Sequence, residues 1–438
     1  MPPGLIIAAP ASGSGKTVVT LGVLRALRHQ GVSVAAFKTG PDYIDPAFHA
    51  AACGRDCVNL DIWAMRPETL RALVGRIGDG SEAIIGEGVM GLFDGVAGGG
   101  GSTADLAVSM GWPVVLVVDV RGQAASVAAL VRGFATHRQD IELAGVVFNR
   151  VASPAHAEVL CAACEATPNP PVLGCIPRDP RLVLDERYLG LVQAAEHSDI
   201  ETFLDTAAEV VDTAIDVSAL LRLARPARVV PKAGNSVPLP PLGKRIAVAR
   251  DAAFAFSYPW VLDGWHTAGA EVVLFSPLSD EAPAADADAV YLPGGYPELH
   301  AGRLAGNRRF MAGLHSAAAR GAVVYGECGG YMVLGRTLVD SSGARHRMAG
   351  IVPLETSFVE RRLHLGYRRV TLTSDGPLGK AGATFWGHEF HYGQASGEDL
   401  SVPLFECAGA TGRTLPPAGF AKGNVSGSFV HLIDRASD

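Results

Sequence analysis

Three groups of residues in this sequence have types and spacings that suit chemistry. The first is APASGSGKT at 9–17, a glycine-rich run between an apolar segment and a helix-like one. A turn of this kind, leaving a strand and entering a helix, exposes successive backbone N–H groups that hold phosphate oxygens. Gly13, Ser14 and Gly15 would cradle the phosphates of ATP, with Lys16 on the β/γ-phosphates and the Thr17 hydroxyl on Mg²⁺. The first Gly of the usual pattern is Pro10 here, and the second Lys of partition-type ATPases is replaced by Ala11.

The second group is acidic. GPDYIDP at 40–46 carries Asp42, Tyr43 and Asp45, and EGVMGLFDG at 87–95 carries Glu87 and Asp94. Each follows a strand-like run, and ligands of open α/β sheets bind beyond the carboxyl ends of strands. Asp45 and Glu87 with Thr17 suit a hard cation such as Mg²⁺; Asp42, Tyr43 and Asp94 are assigned to substrate activation. The plainer reading is that such aspartates form turns and helix caps.

The third is a thiol. In VVYGECGGYMVLG (323–335) a strand runs into Gly326-Glu327-Cys328-Gly329-Gly330 and then a helical stretch, the nucleophile-elbow pattern with Cys in place of Ser. The helix N-terminus is expected to lower the Cys328 pKa. PGG at 293–295 follows a neighbouring strand, so Gly295 and Gly329 are the expected oxyanion donors. His431, in GNVSGSFVHLI (423–433), is the candidate base. His388 and His391 in TFWGHEFHYG (384–393) are either core residues or substrate contacts. Cys53 and Cys57, one helical turn apart, and Cys161-Ala-Ala-Cys164, which has no second Cys/His pair nearby, read as core cysteines.

These residues need two scaffolds. Near-continuous apolar runs at 5–10, 32–39, 82–89, 113–120, 143–150 and 171–177 alternate with helical segments such as 15–30 and 123–137. That alternation predicts a doubly wound parallel α/β sheet. A proline-rich stretch at 226–243 reads as a linker between a synthetase domain (1–225) and a second α/β domain (244–438). The second domain has strands at 245–249, 271–276, 289–293 and 322–326, and more antiparallel character after Gly330.

Composition supports a globular chain with a buried core. The 438 residues are 48% apolar and 18% charged, with net charge −7, which excludes a disordered chain and offers no basic footprint for nucleic acid. The longest apolar stretch, around 112–118, is too short to span a bilayer, and the N-terminus lacks a signal-peptide pattern. Seven cysteines argue against a disulfide framework. A cytoplasmic protein with small-molecule partners is expected, and a homodimer is allowed.

In this order, APASGSGKT, GPDYIDP, EGVMGLFDG, PGGYPE, GECGGYM, GHEFHY and GSFVHL resemble the cobyrinate or hydrogenobyrinate a,c-diamide synthases over essentially the whole chain. The resemblance implies a dethiobiotin-synthetase-like domain joined to a class I glutamine amidotransferase domain. It implies ATP- and glutamine-dependent amidation of two corrin carboxylates through an acyl phosphate. By it Cys328 is the glutaminase nucleophile, His431 its base, and His388 and His391 are corrin contacts; Arg361, Arg362, Arg368 and Arg369 are candidates by charge. The carboxylate that many class I amidotransferases carry two residues after the His is Ile433 here, which implies a Cys–His dyad. Cobyric acid synthase, which lacks GPDYIDP and EGVMGLFDG, and a synthase for another tetrapyrrole such as nickel sirohydrochlorin are the enzyme alternatives. A nucleotide-switch ATPase with a degenerate second domain is the alternative outside that class.

Overall fold

A computed structural model describes residues 1–184, 186–187, 190–197, 199–230, 236–398 and 401–436. The chain divides into two compact units. The first comprises Met1–Trp63, Leu70–Gly95 and Gly99–Gly234; the second comprises Ala64–Thr69, Val96–Gly98 and Asn235–Asp438. Positions 231–235 of the expected linker lie outside the described residues, and its described positions from 227 onward form no helix or strand.

The first unit is built on strands β1 (Pro3–Ala8), β2 (Val34–Thr39), β3 (Val58–Leu60), β4 (Ala83–Glu87), β5 (Val114–Asp119), β6 (Leu143–Val151) and β7 (Val172–Pro177). They pair in parallel in the order β3-β2-β4-β1-β5-β6-β7, with Arg225–Pro226 adding antiparallel to β1. Strands covered on both faces must be apolar throughout, and β1, β2, β4 and β5 are buried along almost their whole length. β3 was not foreseen: three residues are too few for a periodic signal. Helix α1 (Lys16–His29) follows the glycine-rich loop and packs against the helix Ile200–Ala214. The approach is close, because a Cβ on Gly22 would lie 2.4 Å from a Val211 methyl.

In the second unit the parallel strands Glu271–Phe275, Arg245–Ala249, Ala289–Leu292, Val323–Glu327 and Val425–Ser428 lie side by side, with Phe420–Lys422 antiparallel at one edge. The expected antiparallel region is a five-stranded sheet. Its middle strands are His364–Leu372 and Thr384–His391, and Val430–Arg435 forms one edge. Among the described residues, no helix is long and apolar enough to cross a membrane.

Candidate functional site

The glycine-rich loop joins β1 to α1 with Gly13 and Gly15 at φ 77° and 84°, a conformation that favours glycine. Asn149 and Arg150, near the end of β6, brace it: Asn149 Nδ2 donates to Ser14 O at 2.9 Å and Arg150 to Gly13 O at 2.8 Å. A Cβ on Gly15 would meet Asn149 Nδ2 at 2.3 Å. Lys16 and Thr17 open the helix, as the sequence pattern requires.

Beneath that loop lies a buried charge cluster. Thr17 Oγ1 donates to Glu87 Oε1 at 2.7 Å, and Lys38 Nζ donates to the same oxygen at 2.8 Å and to Asp45 Oδ2 at 2.5 Å. His49 Nε2 lies 2.6 Å from Glu87 Oε2, while its Nδ1 lies 3.7 Å from Cys57 Sγ. Burial would raise the Glu87 pKa, but Lys38, His49 and Lys16 outweigh it and hold the carboxyl well below the usual range. Asp45 is pushed up to about 6 by burial and by Asp42, with Lys38 acting the other way. Lys38 itself stays firmly protonated: Asp45, Glu87 and Asp42 overcome its burial. Burial and the neighbouring Lys38 lower the Lys16 pKa.

The sequence reading missed Lys38 and His49. A lysine inside the buried run VAAFKT of β2 was the available signal, since a buried charge demands partners. The structure brings Asp42, Asp45 and Glu87 around Lys38, with Asp42 Oδ2 at 3.9 Å from Nζ. Asp42 Oδ1 also accepts from the Ile44 and Asp45 amides at the start of α2 (Asp45–Cys53), so it serves as a turn former as well. Tyr43 is half-buried beside it. Asp94 is exposed, and its carboxylate accepts from Gly91 N at 2.8 Å; no described contact ties it to the cluster. Cys53 and Cys57 are buried but do not share a helix: α2 ends at Cys53, where Gly54 turns left-handed at φ 73°. Cys161 and Cys164 share the helix Pro154–Glu165, and Cys161 faces Cys175 of β7, sulfur to sulfur at 3.8 Å.

Thr17, Asp45 and Glu87 present hard oxygen donors at the phosphate loop, a donor set that fits Mg²⁺. Asp42, Asp45 and Glu87 against Lys16 and Lys38 leave the cluster with one net negative charge when all five are ionised, a balance that favours a cation there.

In the second unit, Cys328 follows the strand Val323–Glu327 at φ 46° and precedes the short helix Gly329–Leu334. A non-glycine residue held at positive φ is the strain an elbow stores. Cys328 N donates to Ser428 O at 2.8 Å, which fixes the turn on the neighbouring strand. Gly294 is the wedge between the reacting groups: a Cβ there would lie 2.3 Å from His431 Cε1 and 3.3 Å from Cys328 Cβ. Gly295 N lies 3.0 Å from where a Cβ on Gly329 would sit, so the two expected oxyanion donors belong to neighbouring backbones.

The thiol is not pre-ionised, contrary to expectation. Burial, then Glu298, Glu327 and Glu389, push its pKa far above the ordinary value, and only the Gly329 N–H opposes them. A six-residue helix has too few aligned peptides to outweigh burial together with three carboxylates. His431 is pushed down to about 3 by burial and by His388 and His391, so it is neutral and able to accept a proton.

His388 pairs in register with His431 and is buried, as is His391. His391 Nε2 lies 2.9 Å from Glu389 Oε1, and Arg368 holds the other Glu389 oxygen at 2.6 Å. The two histidines expected to touch the corrin are thus part of the wall around His431, with little side chain displayed. Arg368 is committed to Glu389, and Arg369 lies over the Trp386 ring at 5.9 Å; Arg361 and Arg362 are exposed. His364, Glu389 and His391 bring ligand atoms within 4.8 Å of one another, but Arg368 already neutralises that carboxylate.

Residues 5–189 match the family described as the CobQ/CobB/MinD/ParA nucleotide binding domain, and residues 245–438 match the CobB/CobQ-like glutamine amidotransferase domain. Three relatives named hydrogenobyrinate a,c-diamide synthase align along nearly the full chain. That of Brucella abortus is 56% identical, covering 99% of both chains. That of Brucella anthropi is 54% identical, covering 98% of both. That of Rhizobium meliloti is 53% identical, covering 98% of this chain and 99% of its own.

Proposed function

The chain belongs to the hydrogenobyrinate a,c-diamide synthase family, and from that premise we propose how its two units divide the reaction. It is a glutamine-hydrolysing ligase that amidates the a and c carboxylates of hydrogenobyrinic acid in cobalamin biosynthesis, using ATP. We place the reaction in the cytoplasm.

The second unit makes ammonia. Cys328 gives its thiol proton to His431 as sulfur attacks the glutamine side-chain carbonyl carbon. The Gly295 and Gly329 amides receive the oxyanion. Collapse of that adduct breaks the C–N bond, and His431 returns the proton to the leaving nitrogen, so ammonia departs. Water then cleaves the thioester to glutamate and restores the thiol.

The first unit makes the acceptor reactive. A carboxylate is inert to ammonia, so one corrin carboxylate oxygen attacks the γ-phosphorus of ATP, releasing ADP and leaving an acyl phosphate. Gly13, Ser14 and Gly15 hold the phosphates and Lys16 neutralises the transferred group. Asp42, Tyr43 and Asp94 orient the corrin carboxyl. Thr17, Asp45 and Glu87 would hold magnesium, which when bound supplies charge neutralisation at the phosphates. Ammonia then adds to the acyl carbon and phosphate leaves, giving the amide.

The observation that carries this reading is the meeting of an elbow thiol and a neutral histidine across Gly294, because a phosphate loop alone fits many activities. The test incubates the protein with the metal-free ring, glutamine and Mg·ATP, and follows the ring by mass spectrometry. Conversion of two carboxyls to amides, each with one ATP consumed, is expected. Glutamine and ATP hydrolysis with an unchanged ring would refute it.

A further inference from the structure

The strand Val430–Arg435 offers His431 no carboxylate. Side chains alternate along a strand, so the face of His431 next presents Ile433, which is buried apolar core. Asp434 belongs to the other face, where Arg66 of the same unit holds it through three contacts of 2.9–3.0 Å. A carboxylate reaches His431 from elsewhere. Glu327, the strand residue immediately before the nucleophile, places Oε2 at 3.9 Å from His431 Nδ1, with both side chains buried. Its position is fixed by three donors: Tyr291 Oη to Oε2 at 2.8 Å, Tyr325 Oη to Oε1 at 3.1 Å and Leu432 N to Oε1 at 3.3 Å. All three donors are neutral, and among the described residues no lysine or arginine pairs with Glu327.

We propose that Glu327 is the positioning residue and counter-charge for His431, supplying from beside the nucleophile the carboxylate that the C-terminal strand lacks. This rests on the reading of Cys328 and His431 as the glutaminase pair. At 3.9 Å the contact is electrostatic and not a hydrogen bond. It acts once His431 has taken the Cys328 proton, because a buried imidazolium needs an opposite charge nearby; Glu389 also favours that charge but is paired with Arg368. Glu327 exchanges no proton with the substrate. The titratable groups facing it are Tyr291 and Tyr325 on the neighbouring strands, with Tyr258 beyond Tyr291, His431 across from it and Cys328 next in sequence. His388, His391 and Glu389 face His431 from the strand Thr384–His391. Burial pushes Glu327 up to about 7, with Tyr291, Leu432 N and Tyr325 opposing. The fraction of ionised Glu327, and with it glutaminase activity, therefore rises through neutral pH.

The test is glutaminase kinetics on the full chain across pH 5.5–9, with folding checked by circular dichroism. Glu327→Gln keeps the shape and removes the charge. It is expected to lower kcat by roughly 10²-fold, to leave KM for glutamine nearly unchanged, and to erase the rise near pH 7. Tyr291→Phe keeps the carboxylate but removes a donor, so the rise should move to higher pH. Cys328→Ser is assayed alongside: if it hydrolyses glutamine normally, the underlying glutaminase reading fails. If it is dead while Glu327→Gln retains wild-type kcat and pH profile, only the role of Glu327 is overturned. A loss of kcat with the pH rise unmoved in both Glu327→Gln and Tyr291→Phe would make Glu327 merely structural, and would also overturn it.

Discussion

Glu87 and Glu327 each end a strand of a parallel sheet, each is fully buried, and each lies beside a histidine. Their surroundings differ in one respect. Glu87 shares its oxygens with the Lys38 ammonium, and its carboxyl is held far below the ordinary range. Glu327 is held by two phenols and a backbone amide, and burial carries it up to about 7. Both carboxylates are desolvated; the sign and permanence of the neighbouring charge decide the outcome. The phosphate-binding unit works with fixed charges, which suits a polyanionic nucleotide. The glutaminase unit works with neutral donors, which leaves protons free to move at neutral pH.

The largest test of this contrast is Lys38→Met. Removing the ammonium that bridges Asp45 and Glu87 takes the main counter-charge from two buried carboxylates, which should destabilise the first unit by about 3–5 kcal/mol and abolish amidation. Urea denaturation with an amidation assay checks it; a variant of wild-type stability would show that solvent, not Lys38, compensates the pair. Gly294→Ala attacks the other unit. The added methyl must displace His431, so glutaminase activity should fall on the order of 10²-fold, while amidation fed with ammonium salt persists.

The third prediction uses pH. The folded pKa of Glu327 is raised to about 7 from an ordinary 4.5, so the native state binds a proton that the unfolded chain releases. The stability this contributes is fully present below pH 4.5 and is lost as pH rises through 7. Glu327→Gln lacks the effect, so between pH 4.5 and 8 it should gain on wild type by on the order of 3 kcal/mol. Parallel denaturant curves with no such drift would mean that Glu327 is not desolvated as described. The smallest effect is at His49. His49→Gln keeps an N–H near the Nε2 position facing Glu87 and should stay within roughly tenfold of wild-type amidation, whereas His49→Leu should lose about 10–100-fold. Equal losses in both would deny that the Glu87 contact is what His49 provides.

What could be read from the sequence was what the chain writes locally. The glycine loop at 9–17 and the elbow at 326–330 are contiguous, because their chemistry depends on backbone conformation over a few residues. The continuous apolar runs marked six of the seven strands of the first sheet, and only the three-residue β3 escaped. The electrostatics were not legible. Lys38 and His49 act through side chains that the β2 and α2 backbones aim at Glu87, 49 and 38 residues away in the chain. Glu327 was visible only as a spacer in G-x-C-x-G, since its partners Tyr291 and His431 come from distant strands. The expected low thiol pKa followed from the helix alone; the burial that chiefly reverses it, with Glu298 and Glu389 from other segments, comes about only in the fold.

The division into two independent sites is tested most directly by Cys328→Ser under two nitrogen sources. With glutamine, amidation should be almost completely lost, because a serine hydroxyl is a poor nucleophile before a base as weak as His431. With ammonium salt at raised pH, the same protein should amidate the ring at close to the wild-type ammonia-dependent rate, since Lys16, Lys38 and Glu87 are untouched. Lys16→Ala should give the reverse, with glutamine still hydrolysed and no amide from either source. Loss of the ammonia-dependent reaction in folded Cys328→Ser protein would contradict the account, because the elbow would then be part of the site that activates the carboxylate.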